Sequence, residues 1–190
     1  MAENTRELLL DTAFELFYQH GYHATGLTAI LKKAGLFKGS LYHLFESKQA
    51  LALAVMDERI HKRIENKYAT LLEAGSNYLP RLFTKLRDPQ YLNIHLGCPL
   101  NRMMQELGRE DEIFHKALLE VYSNFEKRIE DILYSAIACG EFFHPAPDKL
   151  AIFVTASIEG AITSGRQHSS FEHYLCAINE LENYLELLQS

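Results

Sequence analysis

Close together in the first quarter of the chain lie a cation, a glycine, a hydroxyl, a phenol and an imidazole: Lys38, Gly39, Ser40, Tyr42 and His43. Each can serve a phosphate oxygen or a base edge. The lysine does so by charge, the glycine through bare backbone, and the other three through hydrogen bonds. Ile30, Leu36, Leu41 and Phe45 alternate with them as the buried face that would fix the angle between two short helices. Gly35 permits the positive φ of a tight turn, and Ala34 is small enough for two helices to approach closely. Three short helices, the second and third joined by a glycine turn, have the spacing of a helix-turn-helix centred on Thr28–Phe45.

A second concentration of chemistry is Gly97-Cys98-Pro99-Leu100. Proline suits the first position of a helix, so the Cys98 thiol stands just before a helix N-terminus, where a thiolate is stabilised. Arg102, about one turn on, would add to that effect. Two readings stand side by side: a reactive sensing cysteine, and a small residue that only packs. Cys139 at a helix end and Cys176 on an apolar face read as structural. Three cysteines without paired spacing do not make a disulfide framework. The nine histidines are dispersed, with no Cys-x2-Cys or His-x3-His pair, and the glycines form no phosphate-cradling loop. The chain is therefore expected to carry no metal, no cofactor and no catalytic residues, and not to be an enzyme.

The elements that must position these groups read as helices throughout. Asn4 with Glu7 has the form of a capping box ahead of Leu8, Leu9, Ala13, Leu16 and Phe17, and Gly21 closes that helix. A second helix covers about Thr28–Ala34 and a third about Lys38–Phe45. Ser47 caps a long fourth helix, Ser47–Glu73, which ends near Gly75. Further helices are expected over Tyr78–Leu86, from Pro99 to Leu107, over Asp111–Cys139, over Asp148–Ser164, and, after a Ser169–Glu172 capping box, over Phe171–Leu188. No segment alternates as a strand does. The fold class is all-α with about nine helices. The expected domains are 1–47, a helix-turn-helix, and 48–190, a helical body.

Composition fits this reading. Hydrophobic residues make up 47% of 190, enough for a core. No apolar run approaches the roughly 20 residues that span a bilayer, and Met1-Ala2-Glu3-Asn4 is no signal peptide, so a cytoplasmic protein with no membrane partner is expected. The net charge of −6 is unevenly spread. The first 63 residues hold eight Lys and Arg against seven Asp and Glu, a balance of +1, which leaves −7 behind them. Within 32–48 there are four lysines and a single acid, Glu46. The front is locally basic and the back acidic.

The strings Gly21-Tyr22-x-Ala24-Thr25, Ile30-x3-Ala34-Gly35-Leu36 and Lys38-Gly39-Ser40-Leu41-Tyr42-His43-Leu44-Phe45-x-Ser47-Lys48-x-Ala50-Leu51 resemble the signature of the TetR/AcrR regulators over about the first third of the chain. The resemblance implies that Thr25 and Thr28 contact double-stranded DNA from the second helix. It places Lys38, Gly39 and Ser40 at the start of the recognition helix, has Tyr42 and Lys48 clamp phosphates, and turns His43 to the groove. Leu44 and Phe37 depart from the pattern, and Phe37 is expected to pack or to shape the start of the third helix. The Gly-Cys segment resembles a branch of the family that includes sensors of electrophiles and reactive small molecules, although that branch usually has a small residue where Asn101 stands here.

The resemblance also implies a ligand-sensing and dimerising body. Small residues Ala151, Ala156, Gly160 and Ala161 among Ile152, Val154, Ile158 and Ile162, with Leu175, Ile178, Leu181, Leu185 and Leu188 after them, suit two helices that pair across a two-fold axis into a homodimer. Cys98, Arg102, Met103, Phe114, Tyr122, Phe125, Phe153 and Glu159, with Tyr68 and Met104, are the residues expected to line a pocket for a small-molecule inducer. The function expected is a ligand-responsive, homodimeric repressor released from a palindromic operator by a small-molecule or electrophile inducer. An activator, or a helical binding protein that no longer holds an operator, are the alternatives.

Overall fold

The computed structural model describes residues 2–73 and 75–189, and every regular element in them is helical. Helix α1 spans Ala2–His20, α2 Leu27–Ala34 and α3 Lys38–Leu44. Helix α4 is one continuous run made of Lys48–Val55, a π-helical stretch Met56–His61, and Lys62–Leu72. Then come α5, Tyr78–Arg87; α6, Pro99–Leu107; α7, Glu112–Ala138; α8, Pro147–Gln167; and α9, Phe171–Glu186. Among the described residues this makes nine helices and no strand, as the periodicity of the apolar positions requires.

Three local expectations are corrected. α1 begins at Ala2, so Asn4 and Glu7 lie inside the helix and form no cap; Ala2 and Glu3 are both good helix formers and carry it two residues further back. α9 is capped by Ser170, whose hydroxyl accepts from the His173 amide at 3.0 Å, while Ser169 takes a left-handed φ of 50° in the turn. α8 runs on to Gln167, which pushes the cap one residue along. The π-helical stretch of α4 has no signature in the apolar pattern. It buries Met56 and Ile60 and turns Glu58 and Arg59 toward α1. Ser47 caps α4 as expected, accepting from the Ala50 amide at 3.0 Å.

The chain divides into two compact units. The first comprises residues 2–63 and 99–121. Its core is the inner face of α1 (Leu9, Leu10, Ala13, Phe17) with Ile30, Leu41, Leu51, Val55 and Ile60, all buried. Gly35, at φ 67°, makes the turn between α2 and α3, and the Leu36 amide returns to the Leu31 carbonyl at 3.0 Å. Surface charges tie α4 to α1: Arg6 holds Glu58 through both guanidinium nitrogens, and Arg59 reaches Asp11 at 2.6 Å and Glu7 at 2.7 Å.

The second unit comprises the described residues of 64–98 and 122–189. Leu82, Ile129, Ile132, Leu133, Val154, Ile158, Ile178 and Leu185 form its core. Gly165 lets α8 and α9 meet: a Cβ there would stand 2.8 Å from Ile94 Cδ1 and from Tyr174 Cβ. Tyr174 spends its hydroxyl on the Leu86 carbonyl at 2.8 Å. The Glu141 carboxylate accepts from the first two amides of α5, Tyr78 at 2.7 Å and Leu79 at 2.9 Å.

Candidate functional site

The α2–turn–α3 element is built from the inside out. Ile30 and Leu41 are buried completely and Phe45 nearly so, which fixes α3 against the first unit's core. The opposite side of α3 presents Lys38, Gly39, Tyr42 and His43 to solvent, with Ser40 half-buried. Lys38 Nζ lies 5.7 Å over the Tyr42 ring, within cation–π range. Thr28, Lys32 and Lys33 are exposed on α2, Lys33 paired with Glu15.

Two of the residues assigned to DNA lie differently from what the sequence implied. Thr25 is buried, and its hydroxyl donates to the carbonyls of Gly21 at 2.7 Å and Leu16 at 3.2 Å. Its single donor is spent inside the fold, bracing the turn between α1 and α2. Lys48 is half-buried. Its ammonium donates to the Tyr22 carbonyl at 2.6 Å and sits 4.0 Å over the Tyr22 ring. Burial pushes the Lys48 ammonium below its ordinary range, and the Glu106 carboxylate opposes that shift. Three donors on one nitrogen leave room for a further acceptor.

That turn is held from the other side by α6. Glu106 accepts from the Tyr22 amide at 3.0 Å and the His23 amide at 2.8 Å. Glu110 meets His23 Nε2 at 2.7 Å, and Asp111 accepts from Gln49 at 2.8 Å. Gly21, at φ 90°, is required here twice over, because a Cβ would stand 2.8 Å from Glu106 Oε2. The Tyr22 ring packs edge-on against Phe114 at 5.2 Å and beside Phe17 at 5.5 Å. Sequence reasoning missed Glu106 altogether: it lies 84 residues from Tyr22, and no local pattern links them.

The eight residues expected to line a pocket are divided between the units. Arg102, Met103 and Phe114 belong to the first. Arg102 and Met103 border a crevice of about 10 Å³ with Phe14, Phe17 and Glu106, room for a water at most. Phe114 is buried under Tyr22. Cys98, Tyr122, Phe125, Phe153 and Glu159 belong to the second. There Phe125 stacks on Tyr68 at 5.3 Å. Burial holds the Tyr68 phenol well above its ordinary range, with further contributions from Tyr174, Glu159 and Cys98. Tyr122 is raised too, by burial first and then by Glu126, Glu159 and Cys98. Cys98 and Glu159 thus act on both phenols, and Phe125 meets this group through its stacking on Tyr68. Glu159 follows Thr155 by one turn on the buried face of α8. Phe153 does not join them. It is 47% exposed and packs on Tyr184 at 5.3 Å, because position 153 falls on the far side of α8 from Val154, Thr155 and Ile158.

The outer faces of α8 and α9 carry apolar and small residues. Ile152, Phe153, Ala156 and Gly160 are exposed on α8, and Cys176, Ala177 and Tyr184 on α9. A Cβ at Gly160 would meet nothing within 4 Å. Among the described residues no group of three or more His, Cys, Asp or Glu side chains is placed to hold a metal ion, and no helix is long and apolar enough to cross a membrane.

Comparison with known proteins agrees with this arrangement. Residues 9–55 match the family model described as "Bacterial regulatory proteins, tetR family", and residues 82–181 the one described as "Tetracyclin repressor-like, C-terminal domain". An HTH-type transcriptional regulator of Lactococcus lactis, from the lacX 3′ region, is 32% identical over 136 residues, 68% of each chain. The HTH-type transcriptional repressor NemR of Escherichia coli is 40% identical over 80 residues, 42% of this chain and 40% of that one. A crystal structure described as the reduced form of E. coli NemR superposes with a TM-score of 0.82 at 27% identity, covering 95% of this chain and 96% of the other.

Proposed function

Since this chain belongs to the TetR family of transcriptional regulators, a family of DNA-binding proteins and not of enzymes, we propose that it is a homodimeric repressor, released from a palindromic operator by a small-molecule or electrophile inducer. The observation that carries the operator reading is the exposed face of α3. Lys38, Gly39, Tyr42 and His43, with Ser40, stand on a helix whose other side is locked into the core. Lys38 and Tyr42 take phosphates, Lys48 adds a further phosphate contact from behind the Tyr22 carbonyl, and His43 and Ser40 face base edges. Thr28 contributes from α2, and Thr25 acts as a brace. The protein works where its operator is, in the cytoplasm.

Two copies pair through the exposed faces of α8 and α9, which sets the two recognition helices at successive major grooves, roughly 34–36 Å apart. Phe153→Glu puts a charge into that face and is expected to leave a folded monomer in sedimentation velocity; a dimer of unchanged stability would refute this interface. A gel shift with DNA from upstream of the gene, run over a salt series, tests the operator reading. Affinity should fall steeply as salt rises. Binding that is absent or indifferent to salt would sink it.

Induction is read as a population shift. Cys98 immediately precedes α6, and Glu106 at the other end of α6 grips the Tyr22 and His23 amides ahead of α2. An adduct or ligand at Cys98 displaces α6, draws on that turn, tilts α4 and spreads the recognition helices. It does so only as far as it favours one state over the other. Cys98 stands in a neighbourhood of phenols and a buried carboxylate, and the structure of the relative NemR is described as its reduced form. Mild maleimide treatment of the native protein with mapping of the adduct tests the thiol. If Cys98 stays unmodified while the unfolded chain reacts, the residue only packs. Spin-label distances between the two recognition helices, with and without a bound inducer, test the motion.

A further inference from the structure

Phe37 is 86% exposed, the most exposed large apolar side chain among the described residues. The sequence suggested that it packs or shapes the start of α3; its backbone does the second, the carbonyl accepting from the Ser40 amide at 3.0 Å, while the ring stays in solvent. It takes an extended conformation, φ −90° and ψ 156°, as the residue before Lys38. The neighbouring cation, Lys38, turns to Tyr42 instead. Single exposed apolar residues are common on protein surfaces, but the setting of this one is particular. Between Glu15 and Glu46 the chain has no acidic residue, while Lys32, Lys33 and Lys38 all lie there. Lys33 is paired with Glu15, and the exposed Lys32 and Lys38 leave this stretch of chain net cationic, which complements a polyanion. On duplex DNA the apolar group offered along the base edges of the major groove is the C5-methyl of thymine.

Resting on the operator reading above, we propose that Phe37 is a specificity-determining residue, which packs its ring on a thymine methyl group in each half of the operator. The ring carries no hydrogen-bonding group, so its contribution is burial of apolar surface and it takes no part in the phosphate contacts. It therefore selects an A·T pair in one orientation, next to the base edges met by Ser40 and His43.

The test uses duplexes that the full-length protein recovers from a random-sequence pool, remade with uracil in place of each thymine in turn. Uracil differs only by the missing methyl. In wild type, one position per half-site should lose affinity by about three- to fivefold on that change, the effect of withdrawing one buried carbon. Phe37→Ala should bind the thymine duplex about tenfold more weakly, with the salt slope unchanged, and should be indifferent to uracil. Phe37→Leu should keep part of the discrimination. Because the ring is exposed, all variants should melt with wild type. The proposal is overturned if uracil at every position leaves wild type unchanged, if Phe37→Ala loses as much to uracil as wild type does, or if the recovered half-sites share no A·T pair. In each of those outcomes wild type still binds with a steep salt dependence, and the operator reading stands. Recovery of no duplex at all overturns that reading, and this proposal with it.

Discussion

The two units differ in what surrounds their perturbed acids. In the first, charge stays near the surface and ties elements together: Arg6 on Glu58, Arg59 on Asp11 and Glu7, Glu106 on two backbone amides. Its Glu15 and Glu58 carboxyls are held below the ordinary range, each by a hydrogen bond from a basic partner. The second has such ties as well, Arg87 on Glu182 and Arg128 on Glu65, but it also draws acidic groups inward, where burial disfavours their charge. Tyr68, Tyr122 and Tyr174 are raised chiefly by burial, and so is Glu126.

The largest expected effect follows from how the second unit is held. Ile132 is completely buried in its apolar cluster, and Ile132→Ala removes three carbons and leaves a cavity. It should cost about 2–5 kcal/mol, read from urea unfolding at one fixed protein concentration so that dimerisation does not enter. A loss under about 1 kcal/mol would mean that packing is not what holds this unit.

In the first unit the corresponding test is Glu106→Ala. It strips two amides of a charged acceptor, for an expected loss of about 1–3 kcal/mol, and loosens the turn from which α2 departs. Operator affinity should fall although Glu106 makes no contact on the reading face of α3. Glu106→Gln keeps a carbonyl acceptor and should lose less of both. Full affinity in Glu106→Ala would separate α6 from the DNA-reading head and break the proposed route of induction.

How far these features were legible in the sequence depends on the range of the interaction that makes them. The helices, the Gly35 turn and the Ser47 cap arise from neighbours within four residues, so periodicity and turn chemistry reveal them. The exposed α3 face follows because Leu41 and Phe45 must point the other way. Glu106 on Tyr22, Glu141 on α5 and Arg128 on Glu65 join residues 62–84 positions apart, and a single chain carries no trace of such pairs. Thr25 lies elsewhere than expected, and the Phe37 ring does not pack, for a related reason. A threonine in a turn can face either way, and an aromatic ring is by default assigned to a core. Phe153 was assigned to the pocket on residue type, where its angular position on α8 puts it outside.

A smaller effect separates contact from stability. Lys38 is exposed and its partner is only the Tyr42 ring, so Lys38→Ala should leave unfolding unchanged within about 0.5 kcal/mol. It should lower the slope of log affinity against log salt by about 1 per lost phosphate contact. A change in stability without a change in slope would move Lys38 from the interface to the scaffold.

The smallest effect tests the comparison most directly, because it asks for opposite signs. Glu58 titrates below its ordinary range when folded, so its pairing with Arg6 stabilises above the ordinary carboxylate pKa and is lost as pH falls through the depressed folded value. The pair is partly solvated, with side chains 34% and 18% exposed, and screening limits it to about 1 kcal/mol. Glu126 titrates above its ordinary range because burial disfavours its charge. Its penalty is complete at neutral pH and disappears as pH falls through the raised folded value to the ordinary one. At neutral pH Glu58→Gln should therefore destabilise and Glu126→Gln should stabilise slightly. The difference between each variant and wild type should shrink toward acid, which urea midpoints measured from neutral to acid pH would register. Shifts of the same sign at neutral pH would mean that the two carboxyls sit in equivalent surroundings, and the contrast between a paired acid and one drawn inward would not hold for these two units.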